Sequence, residues 1–442
     1  MKRESGYAFA TAQAILACAL FSYPASMLVA RGVPSVAVAV ILIGSMLLLP
    51  FAIARRAQLA CPEDLAPVAG LFLFLAIGAL GASMWHSPMW LIVNYTRLFA
   101  ALAVIAAIRM LRPPEWVFYA GCAIGATGAG GFAIWQVMFD GALRASGPDS
   151  YFGWQRATIF GALSVVLGFL PILADPPGWK LPGRILLGTG LIGGATAAVL
   201  SGSRGAWLAC AVLALWRVGR SGLWAASLML VVIIGASIML PVLSNRWDAA
   251  FADIMVYQSG HSETSLGLRF SMWKAAAAAF ASHPLFGVGP MGFRDVLVER
   301  VRDGLASATI LKFDHAHSDL MHTLATGGMV QLTGLVAAFW LPWRYFRHVA
   351  IERTSPAARA GMALIVLFLV LGLADSMFVH RIALTAYVVS VAVLIGYAGI
   401  NGDALSPRSG DLGNRCAALN AAEGAGPSRV GIGQIWRLRP WP

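Results

Sequence analysis

Charge is scarce in this chain. Asp, Glu, Lys and Arg make up 12% of its 442 residues, while 59% are hydrophobic. That excludes an ordinary soluble domain, in which about a quarter of the residues are charged. Cysteine is sparse too. Cys18, Cys61, Cys122, Cys210 and Cys416 are scattered, with no CxxC and no Cys/His zinc spacing, so neither a disulfide framework nor a structural zinc module fits. Acidic residues number 20 against 32 basic ones, a net charge of +12. The excess forms no basic stripe interleaved with aromatics, so nucleic acid is not an expected partner. The GxxxxGK[ST] phosphate loop is missing. No strong internal repeat and no paired broken helices stand out, which argues against a transporter.

Long apolar runs take the place of charge. Runs near 20 residues recur from end to end, the length a helix needs to cross the hydrocarbon core. They do not alternate apolar with polar residues, which excludes transmembrane strands. Lys2 and Arg3 precede the first run, which reads as a span and not as a cleaved leader because many spans follow. The expected fold is an all-α polytopic membrane protein with about twelve transmembrane helices. The expected segments are 7–30, 33–54, 66–84, 88–108, 116–139, 154–174, 184–201, 204–216, 222–243, 320–343, 357–376 and 381–400. Residues 1–243 then carry spans one to nine, 244–319 form a large, partly helical loop, and 320–400 carry spans ten to twelve. Residues 401–442, rich in Gly, Pro, Ser and Arg, read as a disordered cytoplasmic tail.

Arginine and lysine sort by side. With both termini cytoplasmic, inner loops hold Arg55, Arg56, Arg109, Arg112, Lys180, Arg184, Arg217, Arg220, Arg344, Arg347, Arg353 and Arg359, whereas short outer loops hold Arg31, Arg144, Arg156, Arg204 and Arg381. The positive-inside rule places the 244–319 loop outside, periplasmic in a bacterial inner membrane. No ATP is available there, so a transfer on that face requires a donor activated beforehand.

The polar island ends in Asp314-His315-Ala316-His317-Ser318-Asp319. His and Asp in this pattern suit a metal site, a histidine base, or a solvated helix start capped by Ser318 or Asp319. Arg97 lies inside an apolar run, where a charge needs a polar cavity or a partner. Arg204 follows Ser201-Gly202-Ser203, and Arg269 opens Leu268-Arg269-Phe270-Ser271-Met272-Trp273, ahead of an alanine-rich helix expected from Trp273 to Ser282. Both suit an anion, because guanidinium keeps its charge when desolvated and offers a fork of donors. Arg31, Arg144 and Arg381 read as loop or interface arginines. His86, His283, His348 and His380 read as interface or turn residues. Gly287-Val288-Gly289-Pro290 reads as a turn that could bring Arg294 to the site.

Taken in order, Ser201-Gly202-Ser203-Arg204-Gly205-Ala206, Arg269 with Trp273, His283-Pro284-Leu285-Phe286-Gly287-Val288-Gly289-Pro290 and His315-Ala316-His317-Ser318-Asp319 with Gly328 resemble the O-antigen ligase and polymerase superfamily. The resemblance covers roughly residues 70–400 and is sharp from 196 to 335. The ligase pattern is a His followed by Asn, Ser or Gln, then nine residues, then Gly, with a small residue or Tyr three positions on. His317-Ser318 and Gly328 match it, and Gln331 departs.

The resemblance implies transfer of a glycan from undecaprenyl diphosphate to the lipid A core oligosaccharide, with membrane lipid around the site. It implies His317, Arg204 and Arg269 as catalytic residues. Arg97, Arg294 and His315 are the expected substrate-binding residues. No cofactor or metal is expected. A polymerase or a protein glycosylating ligase of the same superfamily is the alternative, and a lipid-linked glycan transporter stands further off.

Overall fold

The computed structural model describes residues 2–54, 62–148, 156–176, 179–218 and 264–404. The expected span 222–243, the first part of the polar island and the tail beyond 404 lie outside the described residues. The described chain is helical. The helices are α1 (Lys2–Ser26), α2 (Val33–Ala54), α3 (Pro62–Met84), α4 (Met89–Thr96), α5 (Ala101–Leu111), α6 (Trp116–Met138), α7 (Arg156–Ala174), α8 (Leu181–Leu200), α9 (Arg204–Val218), α10 (Ser265–Ser282), α11 (Gly292–Arg302), α12 (Asp319–Arg353), α13 (Pro356–Ala374) and α14 (Arg381–Ala404). Among the described residues ten helical stretches are long and apolar enough to cross a membrane, and α9 is a shorter apolar helix. The chain is a polytopic membrane protein.

Apolar side chains point outward as well as inward. On α2, Ile41 and Leu42 are buried while Val36, Ile43, Leu47 and Phe51 are exposed. A hydrocarbon surround accepts such a face, and water does not. Small residues bring helices together where lipid gives no hydrophobic drive. Gly130 of α6 meets the backbone of Gly193 on α8.

One local break departs from the expected segments, and a second falls between two of them. The run through 88–108 is not one straight helix: a 3-10 turn, Arg97–Ala100, joins α4 to α5. The junction before α9 is a true break, with Gly202 at φ 61.

Contacts among the described helices gather at two opposite ends of the bundle. At one end Gln13 Nε2 donates to the carbonyl of Leu111, Arg359 donates to Ala174 O, and Tyr397 reaches Pro114 O. At the other, Ala145 N–H donates to Leu200 O, Arg269 to Ala374 O, and His317 bonds Asp375. The described part of the polar island lies at this second end. It has its own small core, in which Leu268, Met272, Phe293, Leu297 and Ile310 pack together.

The Gly287 turn docks on a break in α12. Gly328 has φ 60 and ψ −154 inside that helix. The freed backbone groups are taken up by the turn: Val288 and Gly289 N–H donate to Ala325 and Thr326 O, both at 2.9 Å, and Met329 N–H donates to Pro284 O at 2.9 Å. A Cβ on Gly328 would sit 2.5 Å from the Leu285 backbone. The turn therefore anchors the island to the bundle, a role its sequence did not disclose. Gly328→Ala should cost about 1–3 kcal/mol of stability through strain at this backbone position. Gly44→Ala, in open space on α2, is the control. A thermal melt in detergent showing equal midpoints for the two variants would contradict this account.

Candidate functional site

Two segments far apart in sequence are zipped together at this end of the bundle. His317 Nδ1 lies 2.9 Å from Asp375 Oδ1, Ser318 N–H donates to Ser376 Oγ at 3.0 Å, and Phe378 N–H donates to Asp319 Oδ1 at 2.9 Å. Ser318 sits at the N-cap of α12 without a side-chain cap bond. The expected capping role of Ser318 and Asp319 is thus replaced by this cross-link. An aromatic cluster fixes the far side: Phe378 packs on Phe74, Phe339 and Tyr387 with ring centroids 5.2–5.6 Å apart.

The expected helix from Trp273 begins earlier, at Ser265, and Thr264 caps it through its side chain. Arg269 therefore lies inside the helix, four residues before Trp273, on the same face. Arg269 Nη1 donates to Ala374 O at 2.7 Å, and Trp273 Nε1 donates to Ala316 O at 2.9 Å. That spacing lets one helix grip both zipped segments.

Arg204 opens α9, directly after the Gly202 break. Ser203 Oγ accepts from Ala206 N–H at 3.4 Å. The N-terminus of α9 thus points its partial positive charge into the same region. Arg144 Nε donates to Ser201 O at 2.7 Å and joins the wall. Arg144, Arg204, Arg269 and Asp375 together line a cavity of about 90 Å3. Arg144, read from sequence as a loop or interface arginine, lines this cavity with them.

Asp375 is the residue that sequence reading missed. It follows α13 directly and looked like one more span boundary. Burial alone would raise its pKa, but the hydrogen bond from His317 and the electrostatic pull of the His317, His315 and His380 rings outweigh burial and hold the carboxyl below the ordinary range. Its Oδ1 also accepts from Ser376 N–H at 2.8 Å. A carboxylate only accepts, so the His317 hydrogen sits on Nδ1, and Nε2 is the remaining basic nitrogen. Non-glycine φ of +50 at His317 shows the backbone held in an uncommon conformation to keep this contact. For Arg269, burial lowers the pKa, Asp375 raises it and Arg204 lowers it. For His380, burial and its imidazole neighbours pull the pKa down to about 4 against the pull of Asp375.

His315 is fully buried. Its Nδ1 bonds Asp314 Oδ1 at 2.7 Å, which draws Asp314 down to about 2, and its Nε2 lies 3.8 Å from Asp375 Oδ1. His380, read as a turn residue, joins the cluster: His315, Asp375 and His380 each offer an atom within 4.8 Å of the others, a set that could hold a divalent ion. His315 is thus packed behind the Asp375 carboxylate. Arg294 does not reach the arginine cavity. It donates to Leu311 O at 3.4 Å and lines a separate cavity of about 440 Å3 with Trp85, Trp90 and His322. Arg97 lines a third, with His380 and Arg381. The structure thus brings Arg204, Arg269, His317 and His315 around Asp375 and sets Arg97 and Arg294 apart from them.

A family model described as O-antigen ligase matches residues 189–336. That match supports the superfamily resemblance and includes Arg204, Arg269, Arg294, His315, His317 and Gly328, while Arg97, Asp375 and His380 fall outside it. An uncharacterized protein of Haemophilus influenzae is 28% identical over 157 residues, covering 33% of this chain and 39% of that protein. The alignment thus spans about two fifths of that relative's length.

Replacing Asp375 with Asn keeps the shape and removes the charge. Nitrogen-15 shifts of labelled histidine should show one His317 tautomer, hydrogen on Nδ1, in the parent protein and a mixture in Asp375→Asn. The same single tautomer in both would mean that Asp375 does not orient the ring.

Proposed function

We propose that the protein transfers a glycan from undecaprenyl diphosphate to the lipid A core oligosaccharide, on the periplasmic face of a bacterial inner membrane. One observation carries this reading: a histidine oriented by a buried carboxylate stands beside a cavity walled by three arginines. The arginine and lysine asymmetry supports an outer location, since Arg109, Arg112 and Arg359 gather at the opposite end of the bundle. An apolar groove between α12 and α13 starts at Asp319 and Gly372 and runs to Trp343. It suits the polyprenyl chain of a donor whose headgroup sits at the site.

In this reading the acceptor hydroxyl oxygen attacks the anomeric carbon as the bond to the diphosphate oxygen breaks. The electron pair leaves with the diphosphate. Arg204 and Arg269, with Arg144 beside them, neutralise that charge as it develops, so their effect falls on the transition state. The hydroxyl proton passes to His317 Nε2, and the Asp375 carboxylate stabilises the imidazolium that forms. Diphosphate leaves readily, so no general acid is needed. Attack from the face opposite the leaving group inverts the anomeric centre. The arginines supply the positive charge, so no metal is required. Joining lipid-linked repeats to one another uses the same donor chemistry, and only the acceptor differs.

Purified protein given a lipid-linked glycan with and without lipid A core separates these outcomes. Product on the core is expected; longer lipid-linked chains alone would make the protein a polymerase. His317→Ala and Arg204→Ala should each lower the rate about 100- to 10,000-fold while the protein still folds. His317→Ala keeping more than about a tenth of the rate removes the base assignment. Excess EDTA should leave the rate unchanged. Loss restored by added zinc or manganese would instead put an ion on His315, Asp375 and His380.

A further inference from the structure

The cavity around Arg97 takes no part in the chemistry above. It holds about 510 Å3, at the same end of the bundle, between α1, α2, α4 and α14. Among the described residues its polar wall includes Tyr23, Asn94, Arg97, His380, Arg381 and Thr385, and no described Asp or Glu lines it. Arg97 Nη2 donates to Thr385 Oγ1 at 2.8 Å, and that hydroxyl donates to Arg381 O at 2.7 Å, so the two arginines share one patch. Arg97 Nε is buried and has no hydrogen-bond partner among the described residues. The two guanidinium charges repel each other. Like charges held together among apolar walls are costly, and an anion between them removes that cost.

The position of the cavity adds a direction. Asp375 lines the arginine cavity at α9, while His380 and Arg381 line this one. The short segment 375–381 is the partition between them. Trp90 and Val379 are shared with the tryptophan-lined cavity of Arg294, a surface suited to sugar rings. A molecule entering here therefore reaches the histidine cluster from the side away from Arg204 and Arg269.

We propose that Arg97 and Arg381 bind a phosphate group on the amphipathic glycolipid that accepts the glycan, and so align its hydroxyl for attack. This rests on the transfer reading. A planar fork of donors from each arginine suits the oxygens of phosphate. A bilayer phospholipid carries the same chemistry, and the test separates the two sources.

Full-length protein in nanodiscs of zwitterionic lipid is titrated, without donor, with phosphorylated lipid A core and with the same glycolipid after phosphatase treatment. Arg97→Gln and Arg381→Gln should each weaken the phosphorylated form by about tenfold or more, the effect of losing charged hydrogen bonds. The phosphatase-treated form should bind all variants alike. In transfer assays the acceptor KM should rise while kcat and the donor KM hold. Equal binding of the phosphorylated form by all variants overturns the proposal, as does an equal loss with the phosphatase-treated form. Retention of phosphatidylglycerol that depends on both arginines, with acceptor binding unaffected, assigns the cavity to a bilayer lipid and also overturns it. A thermal melt checks folding, and Arg381→Gln, at an exposed helix start, carries the test should Arg97→Gln fail to fold. Because binding is read without donor, protein that binds the phosphorylated glycolipid through both arginines but transfers nothing sinks the transfer reading and leaves only the phosphate site.

Discussion

The hydrogen bond between His317 and Asp375 is the constraint around which this end of the molecule is arranged. A buried carboxylate among apolar helices is tolerated only with partners. Here the partners are the imidazole of His317, the backbone of Ser376 and, further off, His315. The neighbouring bonds, Ser318 to Ser376 and Asp319 to Phe378, lock the start of α12 to the link between α13 and α14. Helix α10 then clamps both segments through Arg269 and Trp273. Removing one of these contacts loosens the others, because all bear on two short stretches of backbone.

Positive charge is divided among separate cavities and is not pooled. Arg144, Arg204 and Arg269 stand around Asp375, Arg97 and Arg381 form a second pair, and Arg294 stands apart. Division has a chemical use when two anionic substrates must meet without exchanging places. One set of arginines can follow charge that grows during bond breaking, and another can hold charge that does not change. Low dielectric around each set strengthens both effects relative to water.

Spans were legible because lipid imposes a simple rule of length and hydropathy. The arginine at the α8–α9 junction and the His-x-His run were legible because polar residues stand out in such a chain. Asp375 and His380 were not, since a lone acid and a lone histidine beside an apolar run look like membrane boundary residues. Only the fold brings residue 375 to residue 317. The break at Gly328 was hidden as well: a glycine in a helical pattern does not disclose its φ, and the Gly287 turn that satisfies the break lies about forty residues earlier in sequence. Arg294 misled for the opposite reason, because nearness in sequence to the motifs did not bring it to the arginine cavity.

The central claim, that His317 and Asp375 act as one unit on the transferred proton, is tested most directly by a double-mutant cycle on transfer rate. His317→Ala, Asp375→Asn and the double variant are measured in purified protein with lipid-linked glycan and lipid A core. The account predicts that the double variant is no slower than His317→Ala alone, because the carboxylate has nothing left to orient. Losses that multiply would show two independent contributions and contradict it.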